Sequence, residues 1–91
     1  MAQTGFGERF KARYSAGRIA LASNVRRFRK ERELSQEQLA ARIDVEQTTI
    51  SLIENKRANP TLAVLKKLAR ALDVGLPDLF EPPPRIRRSK A

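Results

Sequence analysis

The sequence contains no cysteine and no histidine, and these two absences narrow what the chain can do. The commonest metal ligands, thiol nucleophiles and neutral-pH general bases are missing, so we expect no metal ion, no cofactor and no enzymatic activity. Disulfides are excluded, so nothing ties the chain to an oxidising compartment. No apolar run approaches the roughly 20 residues that a membrane span needs, and residues 1–10 have no apolar core of secretory type. We therefore expect a cytoplasmic protein that contacts no membrane.

The composition has an excess of positive charge. The chain of 91 residues, enough for one small domain, carries 19 basic and 10 acidic residues, a net charge of +9. The net charge is +3 over residues 1–18, +2 over residues 19–81 and +4 over residues 82–91. Basic ends that flank a nearly balanced domain indicate contact with a phosphate backbone. The alternative is that these charges only keep the protein soluble.

Apolar residues at helical spacing predict a series of short helices. A first amphipathic helix is expected over about residues 19–32, with an apolar face formed by Leu21, Val25 and Phe28. Ser35 and Gln38 have the spacing of a capping box and predict the start of a second helix. Asp44 is expected to end it, because aspartate tolerates the left-handed backbone of a turn better than most residues.

Three further helices are predicted before the chain ends. The third should run over about residues 46–55 with Ile50 and Ile53 facing inward. Thr61 is expected to cap a fourth helix, whose apolar stripe is Leu62, Leu65, Leu68, Ala69 and Leu72. Pro77 suits the first turn of a short fifth helix that ends near Phe80. The expected fold is all-α, a five-helix domain over residues 19–81 flanked by basic arms.

The two ends are expected to differ from this domain. Residues 1–18 form either a basic N-terminal arm or an extra helix: Phe6, Phe10 and Tyr14 are spaced for one helical face, whereas three glycines argue against it. Residues 82–91 open with three prolines and are expected to be a disordered, basic, proline-rich tail.

The second and third helices, with the tight turn between them, have the features of a helix-turn-helix over residues 36–55. Ala40 is small enough for the crossing of the two helices, and Asp44 can turn the chain. Apolar anchors would fix the angle of the third helix: Leu39, Ile43, Val45, Ile50 and Ile53. This geometry lets the third helix protrude into a DNA major groove, which is wide enough to admit it.

Three stretches of the sequence resemble the Cro/C1-type (XRE) helix-turn-helix family, whose domains are lambda-repressor-like. They are VRRFRKERELSQEQLA at residues 25–40, TISLIENKRANPTL at residues 49–62 and LARALDV at residues 68–74. The resemblance covers about residues 19–80 without a gap. It implies a DNA-binding transcriptional regulator that reads a palindromic operator in double-stranded DNA, working in the cytoplasm on the nucleoid.

The resemblance also implies roles for single residues. Gln47, Thr48 and Leu52 would face base edges. The residues expected to contact the DNA backbone are Gln36, Asn55, Lys56 and Arg57. Arg29 on the first helix would pair with Glu54 on the third.

Helical geometry supports part of this assignment. With Ile50 and Ile53 facing inward, a turn of about 100° per residue places Thr48, Ser51, Leu52 and Asn55 on the opposite face. Ser51 therefore joins the candidate base contacts. Leu52 either touches a thymine methyl group or packs under the fourth helix.

A homodimer is expected, because two recognition helices related by a dyad double the contacts with an operator. The candidate interface is formed by Leu76, Leu79 and Phe80, although at least one of them is expected to close the core of the monomer. Two other readings remain open. One is an antitoxin-type module whose partner is a protein, such as a toxin or a polymerase subunit; the other is an RNA-binding or coactivator role.

Overall fold

Four α-helices and a 3₁₀ helix follow one another along the chain in a computed structural model, which describes the backbone of residues 2–82 and the side chains of residues 16–82. The helices are α1 (Ala2–Glu31), α2 (Gln36–Arg42), α3 (Gln47–Glu54) and α4 (Leu62–Leu72), and the 3₁₀ helix is Leu76–Phe80. No strand occurs in residues 2–82, and the predicted all-α class is confirmed. The predicted tail beyond residue 82 and the aromatic side chains of residues 6, 10 and 14 lie outside the described part.

The first helix is longer than predicted. It begins at Ala2 rather than near residue 19, and its backbone continues through all three glycines of that stretch. A glycine costs a helix only about 1 kcal/mol and keeps its N–H, unlike a proline, so a glycine weakens a helix without ending it. Within the described residues, no helix is both long and apolar enough to cross a membrane.

The core lies between all five elements. The predicted inward faces of α1, α2 and α3 are buried as expected, among them Val25, Leu39 and Ile50, which have no exposed surface. On α4 the stripe is shifted: Leu68, Ala69 and Leu72 are buried, whereas Leu62 is 59% exposed. Leu62 is the first residue of α4 and does not belong to the buried face of that helix.

Leu79 belongs to this core and not to a surface. It was predicted as an interface residue, but it has no exposed surface, so it cannot contact a second subunit directly. The reason is that the 3₁₀ helix packs back against α1, where the buried Asn24 holds it. The Asn24 Nδ2 donates to the carbonyl oxygens of Leu79 (3.0 Å) and Glu81 (2.8 Å), and its Oδ1 accepts from Arg27 (3.1 Å).

The helix starts follow the sequence closely. Ser35 and Gln38 form the predicted capping box: the Gln38 N–H donates to the Ser35 hydroxyl, and the Ser35 N–H donates to the Gln38 side chain. Thr61 caps α4 through the N–H of Val64 at 3.2 Å. Both caps satisfy backbone donors that a helix cannot satisfy internally.

Each of the four α-helices is followed within two residues by a residue with left-handed backbone, and none of these residues is a glycine. Glu33, Asp44, Lys56 and Asp73 have φ between 57° and 64°. The next residue after each donates its N–H back to the carbonyl five residues earlier, as in Val45 to Ala40 at 3.0 Å. This is the hydrogen bond of a Schellman motif, which glycine usually provides without strain. The predicted role of Asp44 as the turn residue is confirmed.

An ion pair between α1 and α3 is buried beneath these helices. The Arg29 Nε and Nη2 donate to the two carboxylate oxygens of Glu54 at 2.7 and 2.9 Å, and the Arg29 Nη1 donates to the Leu34 carbonyl at 2.8 Å. Both residues are only 8% exposed. The predicted pair is therefore present, in the bidentate geometry that makes arginine–carboxylate contacts strong and directional.

The pair also sets the charge state of Glu54. Burial raises the pKa of this carboxyl, but the hydrogen bonds from Arg29 and Gln36 and the charges of Arg29 and Arg26 outweigh burial and hold the pKa below its usual range. A group whose pKa is lower in the folded than in the unfolded state stabilises the fold above its unfolded pKa. This contribution is lost as the pH falls through the lower, folded value.

We predict that replacing Glu33 by glycine stabilises the fold. A left-handed backbone costs a non-glycine residue about 1–2 kcal/mol, and the greater freedom of an unfolded glycine offsets part of this, leaving a gain of about 0.5–1 kcal/mol. Glu33 is exposed and has φ 57°. Urea unfolding measures the change. Glu37→Gly, inside α2, is the matched control and should lower stability by about 1 kcal/mol; destabilisation by both variants would contradict the prediction.

We predict that Glu54→Ala destabilises the fold by about 3–5 kcal/mol, because it leaves the Arg29 guanidinium buried without its counter-charge. The matched control is Glu31→Ala. Glu31 forms ion pairs with Arg27 (3.5 Å) and Arg32 (3.4 Å) on the surface, where such pairs contribute less than about 1 kcal/mol. Thermal unfolding compares the two variants, and equal melting temperatures would show that the buried pair does not stabilise α3.

Candidate nucleic-acid interface

One face of α3 is free of the core. Gln47, Thr48, Leu52 and Asn55 are exposed and Ser51 is half-buried, whereas Ile50, Ile53 and Glu54 are buried on the other side. At about 100° per residue, the five outward residues fall within an arc of roughly 140°. The helix therefore presents one continuous strip of short polar side chains and one leucine. The predicted base-contact residues all lie on this strip.

Leu52 lies on the strip and not under α4. It is 45% exposed, which excludes the alternative that it packs into the core beneath that helix. A leucine held in this position can contribute only apolar contact, of the kind that a thymine methyl group offers in a major groove.

The amide side chains of Gln47 and Gln36 are bonded to each other at one end of the strip. The Gln47 Nε2 donates to the Gln36 Oε1 at 2.7 Å, and the Gln36 Nε2 donates to the Glu54 Oε1 at 3.0 Å. A chain of hydrogen bonds therefore runs from the buried Arg29 to the exposed Gln47. Each amide keeps one N–H that these bonds do not use.

The sequence indicated a phosphate contact for Gln36 but not its two contacts inside the protein. Its side chain is half-buried and joins the start of α2 to the first and last residues of α3. A groove of about 440 Å³ opens there, lined by Arg29, Ser35, Gln36, Glu37 and Gln47. The only signal in the sequence was the position of Gln36 at the first residue of α2. That position did not reveal which side chains it would meet.

The residues beyond α3 form the other end of the strip. The Asn55 Nδ2 donates to the Ser51 carbonyl at 2.8 Å and to the Ser51 hydroxyl at 3.3 Å, which orders the end of the helix. Lys56 and Arg57 follow in the turn and are exposed, and neither forms an ion pair in the described residues. Two such cations next to polar side chains suit contact with phosphates.

The remaining predicted interface residues are separated from this strip. Leu76 is half-buried against the core, while Phe80 is 41% exposed. Phe80 forms one wall of a groove of about 220 Å³, which Leu21 on α1, Pro60 and Leu65 also line. The 3₁₀ helix thus presents one large apolar side chain to solvent.

Comparisons with known proteins agree with this geometry. Residues 25–79 match the helix-turn-helix family HTH_3. A hypothetical transcription factor of Neisseria meningitidis serogroup B is 41% identical over 66 residues, which are 72% of this chain and 62% of that relative, so the chain spans less than two thirds of its length. Control protein C.SmaI of Serratia marcescens is 46% identical over 60 residues, 66% of this chain and 71% of that protein.

A shorter match involves a different class of protein. Antitoxin HigA1 of Mycobacterium tuberculosis is 42% identical over 56 residues, which are 62% of this chain but only 38% of the antitoxin.

Solved structures show the same arrangement of helices. The crystal structure of the hypothetical transcription factor NHTF from Neisseria superposes with a TM-score of 0.71 at 40% identity, over 74% of this chain and 77% of that one. The restriction-modification controller protein C.AhdI from Aeromonas hydrophila superposes with a TM-score of 0.66 at 30% identity, over 69% and 96%. The resemblance to the Cro/C1-type (XRE) domains is confirmed. Because the family match covers more than half of the chain and includes α2, the turn and α3, the chain belongs to the helix-turn-helix family HTH_3.

Proposed function

We propose that the protein is a transcriptional regulator that binds double-stranded DNA and reads its operator through α3 in the major groove. The observation that carries the proposal is the exposed strip of α3, which combines amide, hydroxyl and apolar side chains with cations at its end. Amides and hydroxyls can bond base edges, whereas lysine and arginine neutralise phosphates. The relatives described as transcription factors and control proteins support this function. The protein would then act in the cytoplasm, on the nucleoid.

Within the strip we assign two kinds of contact. Gln47, Thr48, Ser51 and Leu52 read base edges, because the start of a recognition helix reaches deepest into the groove. The residues that position the DNA backbone are Gln36, Asn55, Lys56 and Arg57. Gln36 takes part through the N–H that its bonds to Glu54 and Gln47 leave free.

Gln47→Ala should make the free energy of binding to the operator less favourable by about 1–3 kcal/mol and relax the base preference at one base pair in each half-site. Arg57→Ala should weaken binding to every duplex and lower the dependence of log affinity on log salt by about 0.9 for each phosphate that is no longer neutralised. Selection from random DNA supplies the operator, and titrations against operator and scrambled duplexes at two salt concentrations separate the effects. If Gln47→Ala weakens both duplexes equally, Gln47 only positions the protein.

We further propose that the regulator binds as a homodimer joined through the 3₁₀ helix. Phe80 and the half-buried Leu76 are the contact residues, and Leu79 supports them from the core. A two-fold dimer presents two α3 helices to a palindromic operator.

Sedimentation at micromolar concentrations should therefore give a dimer for the unaltered chain, and Phe80→Ala should shift it towards monomer. Leu52→Ala is the matched control, since Leu52 is as exposed as Phe80 (45% against 41%) but lies on the α3 strip. A monomer with and without operator DNA would refute the homodimer.

A further inference from the structure

A further groove lies where the end of α2 meets α4, and we call it the α2–α4 groove. It has a volume of about 530 Å³, and six residues line it: Arg42, Ile43, Asp44, Lys67, Arg70 and Ala71. None of these residues belongs to the α3 strip or to the groove beside Phe80. The surfaces proposed for DNA and for a second subunit therefore do not include the α2–α4 groove.

The α2–α4 groove lies at the end of α2 that is farther from the α3 strip. Gln36 begins α2 and bonds to Gln47 on the strip, whereas Arg42 is the last residue of α2. Six residues of helix separate Arg42 from Gln36 by about 9 Å along the axis. A partner in the groove would therefore meet a different part of the domain from the DNA.

The exposed part of this groove is basic. Arg42, Lys67 and Arg70 are exposed, and in the part of the chain that the structure describes none of them forms an ion pair. One carboxylate, Asp44, joins these three cations, so the groove has a net charge of +2, as large as that of all residues 19–81 together. The fold thus brings uncompensated positive charge from two helices to one place.

The two remaining lining residues are apolar. Ile43 is 3% exposed and Ala71 is half-buried. A phosphate backbone has no apolar group to place against them, and its charge is repelled by the Asp44 carboxylate. An acidic segment of a protein suits both features, because its carboxylates can pair with the cations, an apolar side chain can contact Ile43 and Ala71, and a peptide N–H can donate to Asp44.

We propose that the α2–α4 groove is a docking surface for an acidic segment of a partner protein, in which an apolar side chain is flanked by carboxylates. Lys67 and Arg70 are three residues apart on α4, so their Cβ atoms are roughly 5–6 Å apart. A helical segment with two carboxylates three or four residues apart has the matching spacing. Docking there does not compete for the residues proposed to read DNA, because the groove and the α3 strip share none.

The test uses the full chain and a short capped peptide in which leucines are flanked by glutamates three or four residues apart. A second peptide with glutamine in place of each glutamate removes the charge, and a third with serine in place of each leucine removes the apolar contact. Lys67→Glu reverses one charge of the groove. Lys66→Glu is the matched control, because Lys66 is the preceding residue of α4 and is equally classed as exposed but does not line the groove.

Proton–nitrogen NMR titrations at physiological salt give the affinity and the site together. The acidic peptide should shift the backbone amide signals of the groove residues, and Lys67→Glu should weaken its binding about 3- to 10-fold. Lys66→Glu should change the affinity less than about twofold, because salt screens a charge that is not in contact with the peptide. An equal loss in both variants, shifts confined to the α3 strip, or equal binding of either altered peptide would overturn the proposal.

Duplex titrations separate this surface from a contact with DNA. With a scrambled duplex, Lys67→Glu should alter the salt dependence of binding no more than Lys66→Glu does. A larger change in Lys67→Glu would mean that the groove holds phosphates and would overturn the proposal. If the acidic peptide binds as expected but the unaltered chain discriminates no duplex, the proposed function fails and the docking surface stands.

Discussion

The buried contact between Arg29 and Glu54 is the constraint on which the rest of the structure depends. Two buried charges are tolerated only when each is paired and hydrogen-bonded. The bidentate contact between Arg29 and Glu54, together with the hydrogen bond from Arg29 to the Leu34 carbonyl, meets that condition. Apolar packing of Ile50 and Ile53 holds α3 against the core but is not directional. The ion pair adds direction, because two parallel hydrogen bonds fix how α3 is rotated relative to α1.

That fixed rotation explains how a small domain can expose an ordered reading surface. Once Glu54 faces inward, geometry places the strip from Gln47 to Asn55 outward, and the bonds through Gln36 order its first side chain. A side chain that is ordered before binding loses less entropy when it meets a base. Two interactions with separate physical origins, a buried charge pair and a surface amide, therefore belong to one network.

Much of this arrangement could be predicted from the sequence, because local rules decide it. The capping box at Ser35, the turn at Asp44 and the inward faces of α2 and α3 follow from spacing and side-chain chemistry, and the Arg29–Glu54 pair follows from the family resemblance. Contacts distant in sequence could not be predicted in the same way. Asn24 meets carbonyls 55 and 57 residues away, and Gln36 turns to a carboxylate 18 residues away. A polar residue on the apolar face of α1 indicated that the Asn24 side chain would need hydrogen-bond partners inside the protein. It did not indicate which groups those partners would be. The burial of Leu79 follows from the same contact.

The measurement that tests this account most directly is an NMR titration of the Glu54 carboxyl together with the side-chain amides of Gln36 and Gln47. Glu54 is paired and hydrogen-bonded, so its pKa should lie below that of an unpaired glutamate, with the carboxylate intact at neutral pH. Protonation would turn an obligatory acceptor into a group that can donate, so both amides should respond at the midpoint of Glu54. A shared midpoint below that of an exposed glutamate such as Glu37 is the predicted result. Amide signals that do not change when Glu54 titrates, or a Glu54 midpoint above that of an exposed glutamate, would contradict the claim that one buried carboxylate orders both the fold and the reading surface.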